Sequence, residues 1–205
     1  EAGTQVPVGI EIGSGVRVSA TARIMSQGNV APTEKENDVA IRGEGYFIVN
    51  MPDGRTAYTR DGTFERSSTG MLVTVDGYEV EPGIIIPEDA TSVSISRDGI
   101  VEGFFNGGTE PVQLGQFQMA RFVNKAGLES MGDNLFLETA ASGEAQIGVP
   151  GAEGMGDLLQ GYLESANVNA VTEMADLISA QRAYEMNARV ISGADQMLQA
   201  TAQLR

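Results

Sequence analysis

Beyond Val168 the apolar residues stop alternating and begin to recur on a helical period, and no other part of the chain does the same. The stretch LISAQRAYEMNARVISGADQMLQA, residues 177–200, sets Leu177, Tyr184, Ile191 and Leu198 seven residues apart. Ala180, Asn187, Ala194 and Thr201 follow three residues behind each. Such a heptad ladder is the seam of a coiled coil, in which helices meet along one stripe. One helix from Ala170 to Gln203 would be a rod about 50 Å long. Asn169 is placed to cap it, and Glu173 and Asp176 lie near the positive end of its dipole. Glu185 and Arg189 are spaced to pair across one outer turn. Gly193 weakens the last turns by about 1 kcal/mol relative to Ala.

A seam needs an occupant, and this chain supplies no second long helix. The small or polar companion row lets another helix approach closely. Two arrangements stay open: the helix folds back on its own chain, or it packs against helices of other chains. Length favours the second, because the rod overhangs a body of this size. On that reading the interface comprises Val171, Met174, Leu177, Ile178, Ala180, Tyr184, Asn187, Ile191, Ala194 and Leu198.

The remainder reads as β-structure. VGIEIGSGVRVSATARI alternates Val8, Ile10 and Ile12, then Val16, Val18, Ala20 and Ala22, with breaks at Gly13 and Gly15; this predicts a bent strand or hairpin. DVAIRGEGYFIVN sets Val39 and Ile41 on one face, breaks at Gly43 and Gly45, and resumes at Tyr46. The pairs Asp53-Gly54, Asp61-Gly62, Asp76-Gly77, Asp98-Gly99 and Asn106-Gly107 are dipeptides that supply positive φ at tight turns. Short β-prone runs between them predict an all-β module. The expected fold class is therefore mainly β, with one long C-terminal amphipathic helix. The expected division is an extended β or connecting segment over 1–37, a β-rich outer domain over 38–140, a glycine-rich return segment over 141–167 that has room for a small strand or turn, and an assembly helix over 168–205.

Charge excludes some partners. Lys and Arg number 13 against 28 Asp and Glu, a net charge of −15. Beyond Val168 only Glu173, Asp176, Glu185 and Asp195 stand against Arg182, Arg189 and Arg205, so nearly all of the excess belongs to the body. Such a surface repels nucleic acid and anionic lipid. No apolar run is long enough to span a bilayer, so no membrane insertion is expected.

Catalysis finds little purchase. The chain has no His and no Cys, which removes histidine triads, histidine–zinc motifs, thiolate metal sites and disulfides. Lys35 and Lys125 are the lysines, and neither sits in an S-x-x-K pattern. GEG at 43–45 lacks the third glycine and following helix of a dinucleotide site, and GAEGMG at 151–156 is not a Walker loop. Among so many acids, carboxylate pairs arise by chance. Neither catalytic, cofactor-binding nor metal-binding residues are expected. Tyr46, Phe47, Phe64, Tyr78, Phe104, Phe105 and Phe117 fit a core better than a carbohydrate-binding platform.

Three motifs in order carry a resemblance. SANVNAVTEMADLISAQRAYEMNARVISGADQML is similar to the C-terminal segment shared by the axial proteins of the bacterial flagellum: rod, hook and hook-associated proteins. DVAIRGEGYFIV and YTRDGTFERSSTGMLVTVDGYEVEP resemble the body motif of its rod and hook members. GSGVRVSATARIMSQGNVAPTEKENDVAIRGEGYF and GLESMGDNLFLETAASGEA are most similar to the distal-rod branch. The family's N-terminal helix, with its Asn-Leu-Ala-Asn-type motif, has no counterpart in these residues. The opening Glu1-Ala2-Gly3, without an initiator Met, predicts a fragment or processed product.

The resemblance implies a structural subunit, exported unfolded through a type III apparatus and stacked helically into a hollow rod that crosses the periplasm and passes torque to the hook. Terminal helices would line the tube as a coiled coil and the β-body would face outward. The implied partners are further copies of the chain, proximal rod and hook proteins, and the P-ring and L-ring bushing proteins. A proximal rod or short hook-like axial protein is the alternative within the family. A secreted carbohydrate-binding or adhesive β-module is the alternative outside it.

Overall fold

The computed structural model describes residues 23–106, 110–152 and 154–203, the side chains of 195, 198 and 200–203 aside. The expected strand over 8–22, Gly107 of the Asn106-Gly107 turn, and the side chains of Leu198 and Thr201 lie outside the described residues.

Chain order begins with β1 (Val30–Pro32), β2 (Val39–Arg42), β3 (Tyr46–Asn50), β4 (Thr56–Thr59), β5 (Phe64–Arg66), β6 (Leu72–Thr74) and β7 (Glu79–Val80). It continues with β8 (Ala90–Ile95), β9 (Ile100–Phe105), β10 (Val112–Gln116), β11 (Met119–Arg121), β12 (Glu129–Gly132) and β13 (Leu135–Leu137). Then come β14 (Gln146–Gly148), β15 (Asp157–Gln160), β16 (Tyr162–Glu164) and the helix α1 (Ala170–Gln203). The chain is mainly β with a single C-terminal helix among the described residues, as its periodicity predicts.

β3 is the central strand because its run YFIVN is apolar on both faces. It pairs with β4 along one edge, and with β11 and then β7 along the other. Phe47 and Val49 face one way, Tyr46 and Ile48 the other, and all four are buried. Two cores result. The larger gathers Val39, Ile41, Phe47, Phe64, Leu72, Ile86, Phe117, Met119 and Leu158. Phe47 meets Phe64 edge-on with ring centroids 5.0 Å apart, and Phe117 stacks on Phe64 at 5.8 Å. The smaller core holds Tyr46, Ile48, Tyr58, Phe122 and Leu128, where burial pushes the Tyr46 and Tyr58 hydroxyls up from their ordinary pKa. Tyr46, Phe47, Phe64 and Phe117 are thus core residues; Tyr78 and Phe105 are half-buried and Phe104 is exposed.

The Asp-Gly turns divide into two kinds. Gly54, Gly77 and Gly99 have φ of +80°, +85° and +78°, as such turns require. Gly62 does not lie in the left-handed region. It is glycine for want of room: a Cβ there would overlap the Val39 carbonyl oxygen and stand 2.7 Å from the Val39 carbonyl carbon. This close approach lets the Val39 amide donate to the Gly62 carbonyl at 3.0 Å.

Residues 141–167 hold three strands and finish the body. β14 pairs with β11, β15 with β2 and β16 with β1. Leu158 is buried in the larger core. Gln160 stitches β15 to β8, donating from Nε2 to the Val93 carbonyl at 2.7 Å and accepting the Ile95 amide on Oε1 at 2.9 Å. Arg42 at the end of β2 forms a two-pronged ion pair with Asp157, whose hydrogen bonds hold the Asp157 carboxyl below the usual carboxylate range. The β-structure therefore runs on to Glu164, and the return segment holds three strands where its sequence had room for a small strand or turn, because β15 takes its partner from β2.

Candidate assembly interface

Asn169 starts α1 as its sequence predicts. Its Oδ1 accepts the Val171 amide at 3.1 Å, and its carbonyl accepts the first helical amide, that of Glu173, at 3.0 Å. Glu173 adds an acidic side chain to the first turn, where the helix dipole favours it. The helix then leaves the body. Every residue of α1 from Ala170 to Ser192 is exposed, and only Gly193 and Ala194 are half-buried among those described.

The ladder is therefore uncovered in the single chain. Val171 is 77% exposed, Leu177 68%, Tyr184 76% and Ile191 63%. Met174 and Ile178 join them, Ala180 and Asn187 of the companion row are exposed, and Ala194 is half-buried. The described residues place no part of the β-body on this stripe. Glu185 and Arg189 do not pair: the ion pairs of the described residues are Arg42–Asp157, Arg55–Asp53, Arg60–Glu164 and Lys125–Glu44.

A heptad reading overlooks a second row. Met186 and Val190 are as exposed as the ladder, at 66% and 71%. Met186 stands nine residues after Leu177, which at about 100° per residue puts it on the opposite side of the helix. Following the 3.6-residue period rather than the heptad alone would have found it. A helix apolar on opposite sides is buried by more than one neighbour.

At its root α1 is tied to the strand that enters the body. β1 and β16 run antiparallel, with Val30 opposite Glu164 and Pro32 opposite Tyr162. The Ser165 amide donates to the Asn29 carbonyl at 2.8 Å, and Asn167 Nδ2 donates to the Ser26 carbonyl at 2.9 Å. A groove of about 480 Å³ opens beside this neck, lined in part by Ile24, Met25, Arg60, Phe136 and Glu164. Of its charged residues, Arg60 and Glu164 are engaged with each other, and Asp61 accepts the Thr63 amide on Oδ1 at 3.0 Å and Asn134 Nδ2 on Oδ2 at 3.1 Å. No helix among the described residues is long and apolar enough to cross a membrane.

Known proteins are similar in sequence to both the body and the helix of this chain. Residues 40–103 match the family model for the flagellar hook protein FlgE/F/G D1 domain. Residues 159–204 match that for the flagellar basal body rod FlgEFG protein C-terminal region. The flagellar basal-body rod protein FlgG of Caulobacter vibrioides is 53% identical over 203 residues, covering 99% of this chain and 78% of that protein. FlgG of Bacillus subtilis is 39% identical over 200 residues, covering 95% and 75%. The flagellar hook protein FlgE of Borreliella burgdorferi is 35% identical over 159 residues, covering 77% of this chain but 34% of that protein.

Proposed function

The chain belongs to the flagellar basal-body rod protein family, and from that premise we propose that its uncovered helix is the seam by which subunits join into the distal rod. It is a structural subunit of the basal-body rod, which assembles with itself and with other rod and hook proteins. The relatives are structural rod proteins, and this chain has no catalytic role. Subunits exported unfolded through a type III apparatus stack helically into a hollow tube across the periplasm, and the tube carries torque from motor to hook. The helix over 168–205 lines the tube, and the β-rich body faces outward.

One observation carries the reading: the apolar ladder of α1 stands in solvent. Burying a side chain such as Leu177 or Ile191 contributes about 1.5–3 kcal/mol, and a polymer repeats that gain in every subunit. Val171, Met174, Leu177, Ile178, Ala180, Tyr184, Asn187, Ile191, Ala194 and Leu198 form the interface. Replacing Ile191 by Asp sets an unpaired charge in it, at a cost well above the lost packing. The variant should keep the β-body melt yet fail to form rods, leaving cells without hooks or motility; Arg182→Gln, five residues past Leu177 on the outer side of the heptad, should assemble. Loss of the body melt in Ile191→Asp would show instead that the helix packs on its own body.

The acidic outer surface fits basic or polar partners, and the P-ring and L-ring bushing proteins are the partners proposed for it. Exposed charges are screened over about 10 Å at 0.1 M salt. Ring binding should therefore weaken steeply as salt rises, and equal affinity at low and high salt would remove charge from that contact.

A further inference from the structure

Where the entering and leaving strands cross the base of the body, one arginine holds both. Arg60 follows β4, with its side chain 21% exposed against Glu164 at 12%. Its Nε donates to Glu164 Oε2 at 2.8 Å, and the second arm of the guanidinium lies 2.7 Å from the same oxygen. The third nitrogen donates to the Gly45 carbonyl at 2.9 Å and the Gly43 carbonyl at 3.1 Å, in the link between β2 and β3. The guanidinium lies 5.8 Å from the Tyr46 ring centre, against an aromatic floor. Glu164 spends its other oxygen on the entering strand, accepting the Gly28 amide on Oε1 at 2.8 Å.

The neighbours complete the clamp. Gln27 donates from Nε2 to the Ile41 carbonyl at 2.7 Å and accepts the Gly43 amide on Oε1 at 3.1 Å. Gly28 lies so close to the leaving strand that a Cβ would overlap the Ser165 carbonyl oxygen. After Asn167, only Val168 and Asn169 precede the first residue of α1. The body thus reaches to within two residues of the helix through polar contacts.

We propose that Arg60 and Glu164 are positioning residues that fix the direction in which α1 leaves the body. A planar fork suits this task, because it binds one carboxylate and two backbone carbonyls at set angles, which an ammonium does not. The link to torque rests on the rod reading: a force on the body reaches the helical tube through this neck. The clamp itself belongs to the single chain and is tested there.

The chain contains no cysteine, so Ser68→Cys on the body and Ser179→Cys on the helix, both exposed positions, can carry two spin labels. Pulsed electron resonance then gives the distribution of distances between body and helix. Arg60→Met should at least double its width while the β-type melt of the body persists. Arg55→Met, which removes the Asp53 pair at a distant turn, should leave the width unchanged. An unchanged width in Arg60→Met overturns the proposal. Should that variant lose its β-type spectrum, Glu164→Gln decides by the same criterion, since it keeps the shape and an oxygen for Gly28. Normal assembly of the Ile191→Asp variant would count against the rod reading and leave the clamp standing.

Discussion

Replacing Gly62 by Ala is the sharpest test of how the body closes. The new Cβ would stand 2.7 Å from the Val39 carbonyl carbon and 3.3 Å from Cε2 of Phe47. Neither neighbour can yield: Val39 is held in β2 and fully buried, and Phe47 is locked between Phe64 and Phe117. The strands must separate instead, which breaks the hydrogen bond from the Val39 amide to the Gly62 carbonyl. Overpacking of this kind costs about 1–3 kcal/mol. A buried amide left without its acceptor costs about 1–3 kcal/mol more. For a domain of this size the melting temperature should fall by roughly 5–25 °C, followed by circular dichroism of the β signal. Asparagine separates steric crowding from backbone conformation, because it tolerates the left-handed region. Gly54, with φ +80° and open space around its Cβ, should accept Asn with little loss. Gly62→Asn should be at least as damaging as Gly62→Ala. A Gly62→Ala melt within about 2 °C of the parent, or a milder effect from Asn than from Ala at 62, would refute the steric account.

Two further outcomes follow from the same geometry. A chain ending before Val168 retains β1 to β16 and should keep a cooperative β-type melt while losing the helical signal; a non-cooperative melt would show that the body depends on α1. Asp157, held below the usual carboxylate range by Arg42, stabilises the fold above the unfolded pKa of about 3.9 and loses that contribution as pH falls through its lower folded value. Asp157→Asn should therefore flatten the fall in melting temperature below about pH 4, and an unchanged slope would remove this pair from acid unfolding.

The helix was legible because its signals are local. The heptad, the Asn169 cap and the absence of a second helical segment can all be read within a few turns of sequence. The turns at Gly54, Gly77 and Gly99 were legible for the same reason. Gly62 carries the same dipeptide but obeys a different constraint, set by β2, twenty-odd residues upstream. The return strands were obscured by distance. Asp157-Leu158-Leu159-Gln160 shows only two apolar residues, and its identity as a strand comes from β2, which no local period reveals. Nothing in the sequence near Arg60 or Glu164 marks the other as its partner, since 104 residues separate them. The heptad is equally local, and Leu177, Tyr184 and Ile191 of its ladder are exposed in the single chain, whereas Met186 and Val190 fall outside it.

The pairing of β2 with β15 also sets an order of events. Arg42 and Asp157 are 115 residues apart, so the strand that completes β2 is among the last of the body to appear when the chain is delivered from its N-terminal end. Until Gln160 has emerged, Val39, Ala40 and Ile41 lack the partner against which they are buried, and the entropy of closing so long a loop is still to be overcome. A chain that lacks β15 therefore leaves β2 without its strand partner. Closure of the body thus depends on strands that stand just ahead of α1 in the sequence.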